Sequence, residues 1–145
     1  MVLRQINRGD AMRRRVLAAL IVVGLSGCEE SDGPTAPSVV QVAGTWVGTI
    51  TSHQVAGSGP ARVTFAQANA RLAGTWSATG PGGPDRGILS GLVSGSDVAV
   101  TLTPNVPINC PFAVFATVNG SQMTGRYNAL NCTAAVSGRL TLTKQ

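Results

Sequence analysis

The sequence predicts an all-β fold for residues 42–145, on two observations. Short runs rich in Val, Thr, Ile, Leu and aromatic residues alternate with clusters of Gly, Pro, Asn and Ser, which is typical of strands joined by turns. No stretch of useful length repeats its apolar residues at helical spacing. With 145 residues, 18 glycines and only 12% charged residues, the chain is expected to form one small globular domain.

The first four expected strands combine β-branched, leucine and aromatic residues with small polar ones, and they span residues 44–52, 61–67, 71–78 and 86–94. Two segments between them are expected to be loops, because Gly and Pro dominate their composition. The first loop is residues 56–60, and the second is residues 79–85, which read Thr-Gly-Pro-Gly-Gly-Pro-Asp.

The last four expected strands have the same character and span residues 97–103, 112–119, 122–129 and 135–143. Gly95-Ser96 separates the fourth strand from the fifth and suits a hairpin turn of type II′, because Gly accepts a positive φ. Asn119-Gly120 offers a second hairpin turn, of type I′, between the sixth and seventh strands. The domain is therefore expected to contain eight strands joined in sequence.

One motif recurs five times: an apolar residue, any residue, Gly, any residue and a second apolar residue. Its copies lie at residues 42–46, 72–76, 89–93, 123–127 and 136–140. The apolar residues and the Gly share one face, because strand side chains alternate between faces. A glycine between two large residues removes bulk where strands bend or cross closely, as in a coiled sheet. A small antiparallel up-and-down β-barrel of about eight strands is therefore predicted, with a β-sandwich as the alternative.

Two segments resemble known barrel families. Gly44-Thr45-Trp46 resembles the Gly-x-Trp signature of lipocalins, and with Leu72-Ala73-Gly74-Thr75-Trp76 it is similar to the first and third strands of avidins. The resemblance implies an eight-stranded barrel whose floor is closed by packing of Trp46. Bacterial periplasmic protease inhibitors, with an eight-stranded barrel and one disulfide, are a third similar group. Biotin is not an expected ligand, because avidins line their pocket with several tryptophans and this domain has only Trp46 and Trp76.

Residues 1–27 predict a bacterial signal peptide. Arg13-Arg14-Arg15 precede an uncharged, largely apolar run, residues 16–27, that is too short to span a bilayer stably. Leu25-Ser26-Gly27-Cys28 resembles the lipobox of bacterial lipoproteins. That resemblance implies cleavage before Cys28, a diacylglyceryl thioether on its sulfur, and a further acyl chain, such as palmitate, on the new amino terminus. Several chains anchor firmly, because each buried CH₂ contributes about 0.8 kcal/mol.

Residues 28–41 are expected to be the lipidated cysteine and a flexible tether, since residues 29–41 are rich in Pro and small polar residues. Glu29 is not the aspartate that commonly retains enterobacterial lipoproteins at the inner membrane. The expected location is thus the bacterial cell envelope, and the favoured membrane is the outer one, with the domain facing the periplasm or the cell surface. Met1 and Met12 are alternative starts, and Sec and twin-arginine export both stay open.

The distribution of charge argues against nucleic acid as a partner. The formal net charge of the chain is +5, but five of its 11 basic residues lie before residue 16. Beyond Cys28 the net charge is +1, and no basic cluster is present.

Cys110 and Cys132 remain after lipidation of Cys28 and are expected to form a disulfide in an oxidising compartment. A metal or redox site is the less favoured reading, because the two cysteines lack CxxC spacing and His53 is the only histidine. A strict Asn119-Gly120 turn places Cys110 opposite residue 129, so the pairing requires a longer hairpin loop or bent strand ends.

No catalytic constellation is evident, so no enzyme activity, metal or cofactor is expected. A triad would need His53 as its base and Asp85 or Asp97 as its carboxylate, with no nucleophile elbow in the sequence. Nothing in the sequence brings the two aspartates together for glycoside hydrolysis.

The parity of residues along the predicted strands separates inner from outer side chains. Phe112 and Phe115 have opposite parity, so one of the two is expected on the outside. Arg126 and Arg139 have parity opposite to the apolar residues beside them and are expected on the outer face.

Two functions therefore remain. The first is a lipid-anchored, lipocalin-like module that binds a small apolar ligand, with Trp46, Trp76 and Tyr127 as candidate ligand-binding residues. The alternative is a structural or protein-interaction lipoprotein, including a protease-inhibitor-like one, whose barrel is filled and whose partner is an envelope protein. Interior volume discriminates between them, because a cavity of about 300 Å³ or more would support binding.

Overall fold

The structure, a computed structural model, describes residues 38–106, 110–133 and 135–145. The predicted signal peptide, the lipobox with Cys28, and the predicted tether as far as residue 37 lie outside the described residues. Within the described ranges no helix is long and apolar enough to cross a membrane. The barrel lies wholly within the compact unit Ala36–Gln145.

Eight antiparallel strands form a closed barrel in sequence order: β1 Gly44–Ser52, β2 Ser58–Ala68, β3 Arg71–Gly80, β4 Gly83–Ser94, β5 Asp97–Pro104, β6 Phe112–Asn119, β7 Gln122–Ala129 and β8 Ser137–Lys144. Each strand pairs with the next, and β1 pairs with β8 to close the sheet, with Ile50 opposite Leu140. The predicted up-and-down barrel is confirmed, and the β-sandwich alternative is excluded. Closure leaves no unpaired sheet edge.

The loops predicted at residues 56–60 and 79–85 are shorter than expected. Ser58 already belongs to β2. Gly80 pairs with Gly83, so only Pro81 and Gly82 connect β3 to β4. Gly and Pro marked the turn correctly, but pairing with the neighbouring strand extends the ladder through them, and the φ of +102° at Gly83 suits a residue without a Cβ.

One hairpin turn lies as predicted, and a second is displaced by one residue. Ser94 pairs with Asp97, so Gly95-Ser96 forms the two-residue turn. Asn119 pairs with Gln122, so the second turn is Gly120-Ser121 and not Asn119-Gly120. In both turns the glycine comes first and has positive φ, +56° at residue 95 and +58° at residue 120.

Side chains alternate between the inside and the outside of the barrel, and the recurring glycines face inward. A Cβ added at Gly74 would collide with the backbone of Thr64 on β2, and one added at Gly91 would collide with that of Ala99 on β5. The absence of side chains thus lets adjacent strands coil closely at these points, which is the role that the glycine motif predicts.

One end of the barrel is closed by the segment that precedes β1. The Val40 N–H donates to the Gly95 carbonyl at 3.0 Å. The Gln67 amide holds the same segment twice, accepting the Val42 N–H at 2.7 Å and donating to the Val40 carbonyl at 3.0 Å. The Lys144 Nζ donates to the Gln41 carbonyl at 3.1 Å. The opposite end, where β1, β3, β5 and β7 finish, is the mouth of the barrel.

Candidate functional site: a cavity inside the barrel

The barrel contains a cavity of about 480 Å³ that opens at the mouth. Its deep walls are apolar and come from strands all around the barrel: Phe65, Val98, Val100, Val114, Met123 and Leu142. These residues belong to the buried core, so the cavity is a space that the core leaves unfilled. An eight-stranded barrel is about wide enough for its side chains to fill the interior or to hold one small ligand. In this barrel the small inward-facing residues leave room for a ligand.

Of the four aromatic side chains that line this cavity, three are in contact with one another and come from different strands. The Phe112 ring of β6 lies 6.3 Å from the Trp76 ring of β3 and 5.9 Å from the Tyr127 ring of β7, both measured between centroids. Both contacts are edge-to-face, with interplanar angles of 81° and 80°. This geometry is favourable for aromatic pairs. The three rings form a connected aromatic surface for a ligand to contact.

The polar atoms of these aromatic residues are already engaged by the barrel. The Trp76 Nε1 donates to the Ile88 carbonyl at 3.1 Å. The Tyr127 hydroxyl donates to the Thr51 carbonyl at 3.1 Å. Burial raises the pKa of Tyr127 above its ordinary value. The hydroxyl is therefore, like that of any tyrosine, a donor at neutral pH. The cavity therefore offers a ligand mainly apolar contact.

Two of the three candidate ligand-binding residues, Trp76 and Tyr127, line the cavity, and Trp46 does not. Trp46 is fully buried at the closed end, where its Nε1 donates to the Val42 carbonyl at 2.8 Å. The Lys144 Nζ lies 5.7 Å from the centre of the Trp46 ring. Trp46 is only the third residue of β1 and so lies near the closed end, whereas Trp76 is six residues into β3 and reaches the cavity. The packing of Trp46 closes the floor of the barrel, as the resemblance to lipocalins implies.

The predicted disulfide between Cys110 and Cys132 is confirmed, with the two Cα atoms 6.0 Å apart. The displaced turn resolves the register conflict, because Phe112 pairs with Ala129 and Cys110 thus falls opposite Asn131, next to Cys132. The bond joins the β5–β6 connection to the β7–β8 connection at the mouth. Cys110 also lines the cavity, so the disulfide holds part of its rim.

The titratable residues that the sequence singled out do not converge. His53 is exposed in the connection after β1, with its Nδ1 3.5 Å from the Ser137 hydroxyl. Asp85 lies near the mouth, whereas Asp97 begins β5 at the closed end, so the barrel separates the two carboxylates. Among the described residues no group of three or more His, Cys, Asp or Glu side chains is placed to hold a metal ion.

The outer wall agrees with the parity argument. Phe115 is 49% exposed, whereas Phe112 faces the cavity. Arg126 and Arg139 are exposed and paired across β7 and β8. The Arg126 guanidinium lies 5.8 Å from the centre of the Phe115 ring.

Phe112 and Asp85 are among the residues that line the cavity but were not assigned to it from the sequence. Phe112 was recognised only as one of two alternatives, and Asp85 was assigned to a loop. Because β4 begins at Gly83, Asp85 shares the inward parity of Gly87 and Leu89. The alternation of buried and exposed residues along β4 could have identified Asp85, had the start of the strand been known.

A scan against protein-family models matched no family, and a search of curated proteins found no match to this chain.

Proposed function

We propose that this chain is a lipid-anchored lipoprotein of the bacterial cell envelope whose barrel binds a small apolar molecule. The observation that carries the proposal is the open, apolar cavity of about 480 Å³ inside the barrel. That volume falls within the range of about 300–1,000 Å³ typical of small-molecule sites. A barrel that served only as a structural or interaction module would gain stability by filling the same space.

The chemistry of the cavity walls supports an apolar ligand. No buried side-chain nitrogen or oxygen in the described part of the chain lacks a hydrogen-bond partner, so the buried part of the walls presents no unsatisfied group that would demand a polar ligand. Apolar side chains also surround the entrance, where Val55 and Val136 line the cavity although they are 53% and 36% exposed. A ligand would cover this exposed apolar surface as well as the interior, and removal of apolar surface from water favours binding.

Ligand binding is tested with a protein that comprises residues 29–145, which contains the whole compact unit and lacks the anchor. An uncharged fluorophore such as N-phenylnaphthylamine is expected to bind and to become brighter in the apolar cavity. Native mass spectrometry is expected to show an excess of roughly a few hundred daltons over the mass of the protein, when the same protein is purified without detergent from an oxidising periplasm. This excess corresponds to the size of ligand that such cavities hold.

Ala78→Trp is expected to abolish fluorophore binding, because Ala78 lines the cavity and an indole there would occupy its volume. Ala73→Trp on the same strand is the matched control, since Ala73 is exposed on the outer face and its substitution should leave binding unchanged. Equal binding by both variants would place the fluorophore outside the barrel. Absence of both binding and captured mass in the unsubstituted protein would favour the filled-barrel alternative.

The anchor is supported by the sequence of residues 13–28 and is tested on the full chain. Protein expressed in a bacterium is expected in the membrane fraction, with a mature amino-terminal peptide that begins at Cys28 and carries acyl chains. Cys28→Ala should abolish both lipid attachment and cleavage at this site, because the thioether cannot form. Ser26→Ala serves as a control, since another small residue at that position keeps the lipobox pattern. An unlipidated mature terminus in the unsubstituted protein would contradict the anchor.

A further inference from the structure

We propose that the cavity selects amphiphilic ligands whose polar end is neutral or cationic and discriminates against anionic ones such as fatty acids, with Asp85 as the selecting residue. This inference rests on the proposed function, because it concerns the ligand of the same cavity. It assigns a role to an acidic side chain that faces the ligand space.

Asp85 is the only charged residue that lines the cavity within the described ranges. It lies on the inward face of β4, opposite Ala78 of β3 and near the mouth. Its Oδ1 accepts the Arg86 N–H at 2.8 Å, and its side chain is partly exposed. Residues 107–109 and 134 lie outside the described ranges, and none of them is charged in the sequence.

No basic side chain of the described residues balances Asp85 inside the cavity. Arg62, Arg86 and Arg139 are exposed on outward positions of their strands. Lys144 has an inward position, but it lies at the closed end, where its Nζ donates to the Gln41 carbonyl. A ligand carboxylate would therefore find no cation in the cavity.

The polarity of the cavity also orients a ligand. The floor is apolar, whereas the lining at the mouth includes the polar side chains of Ser52, Gln54 and Asp85, which lie on strand ends and on the connection after β1. An amphiphile would place its alkyl chain on the floor and its polar end beside Asp85. At that position a cation is attracted and an anion is repelled by the carboxylate, which solvent at the mouth screens only in part.

The test measures displacement of N-phenylnaphthylamine from residues 29–145 by three ligands with the same alkyl chain: decanol, decanoate and decyltrimethylammonium. The ratio of the decanoate Kd to the decyltrimethylammonium Kd is expected to fall about tenfold in Asp85→Asn, with the decanol Kd unchanged. Asparagine keeps the size of the side chain and an oxygen that can accept the Arg86 N–H, so the barrel should stay intact.

Asp97→Asn is the matched control, since it removes the same charge from the outer face at the closed end. Its ratio should equal that of the unsubstituted protein. Equal ratios in the Asp85→Asn variant and the unsubstituted protein, with decanol still bound, would overturn the selectivity and leave the proposed function standing. Failure of the fluorophore and all three ligands to bind would overturn the proposed function and this inference with it.

Discussion

Replacement of Trp46 by Ala is expected to lower the free energy of unfolding of the barrel by about 3–5 kcal/mol, the range for large aromatic residues in a packed core. Trp46 has no exposed surface, and its indole lies where the segment before β1 meets the closed end. The substitution removes the ring and leaves the Val42 carbonyl without its indole donor. It therefore loosens both the core and the closure of the barrel floor.

Urea unfolding, monitored by far-ultraviolet circular dichroism, measures this loss of stability without relying on tryptophan emission. Trp46→Phe keeps an aromatic ring but removes the Nε1–H, so its destabilisation should be clearly smaller. Phe115→Ala is the surface control, because Phe115 is 49% exposed and lies outside the core. If Trp46→Ala were no more destabilising than Phe115→Ala, Trp46 would not hold the closed end.

Gly74→Ala is expected to destabilise the barrel by about 2–3 kcal/mol, near the upper end of the usual cost of overpacking. The Cβ would collide with the carbonyl group of Thr64 and approach the Cα of Phe65, and all three nearest atoms belong to the backbone of β2. A backbone cannot rotate away as a flexible side chain can. Either the β2–β3 ladder must separate locally, or the coil of the sheet must relax.

Gly82→Ala is the matched control for this substitution. A Cβ at Gly82 has open space within 4 Å, and its φ lies outside the left-handed region that L residues avoid. Its effect on the free energy of unfolding should therefore be within about 0.5 kcal/mol, as for most surface substitutions. Similar midpoints for Gly74→Ala and Gly82→Ala would mean that the glycine motif does not serve close strand approach.

The strand pattern shows how much of this fold can be read locally. β1, β6 and β7 have the predicted bounds, because their alternating residues end at clear turn signals. The loop of the β3–β4 hairpin was predicted too long, because a cluster of Gly and Pro signals a turn but not its length. The length is set by which residues of the two strands pair, and Gly80 pairs with Gly83 only because the rest of the ladder holds that register.

The candidate site was predicted less completely than the fold. The parity of Trp76 and Tyr127 along their strands placed both on the inside, where the cavity lies. Parity alone could not tell how far along the barrel axis each inward residue lies. Trp46 and Trp76 share the same local motif, yet one packs into the closed end and the other lines the cavity, because their strands begin at different heights.

The sequence by itself determined the all-β class, the number of strands, the side that most residues face and the pairing of Cys110 with Cys132. Each of these depends on local alternation, on turn residues or on the choice of available cysteines. Tertiary structure alone decided how much of the interior stays empty, that Trp46 lies outside the cavity and that Asp85 faces the ligand space. The physical reason is that these properties depend on the relative height of strands distant in sequence and on the summed volume of side chains that meet only when the sheet closes.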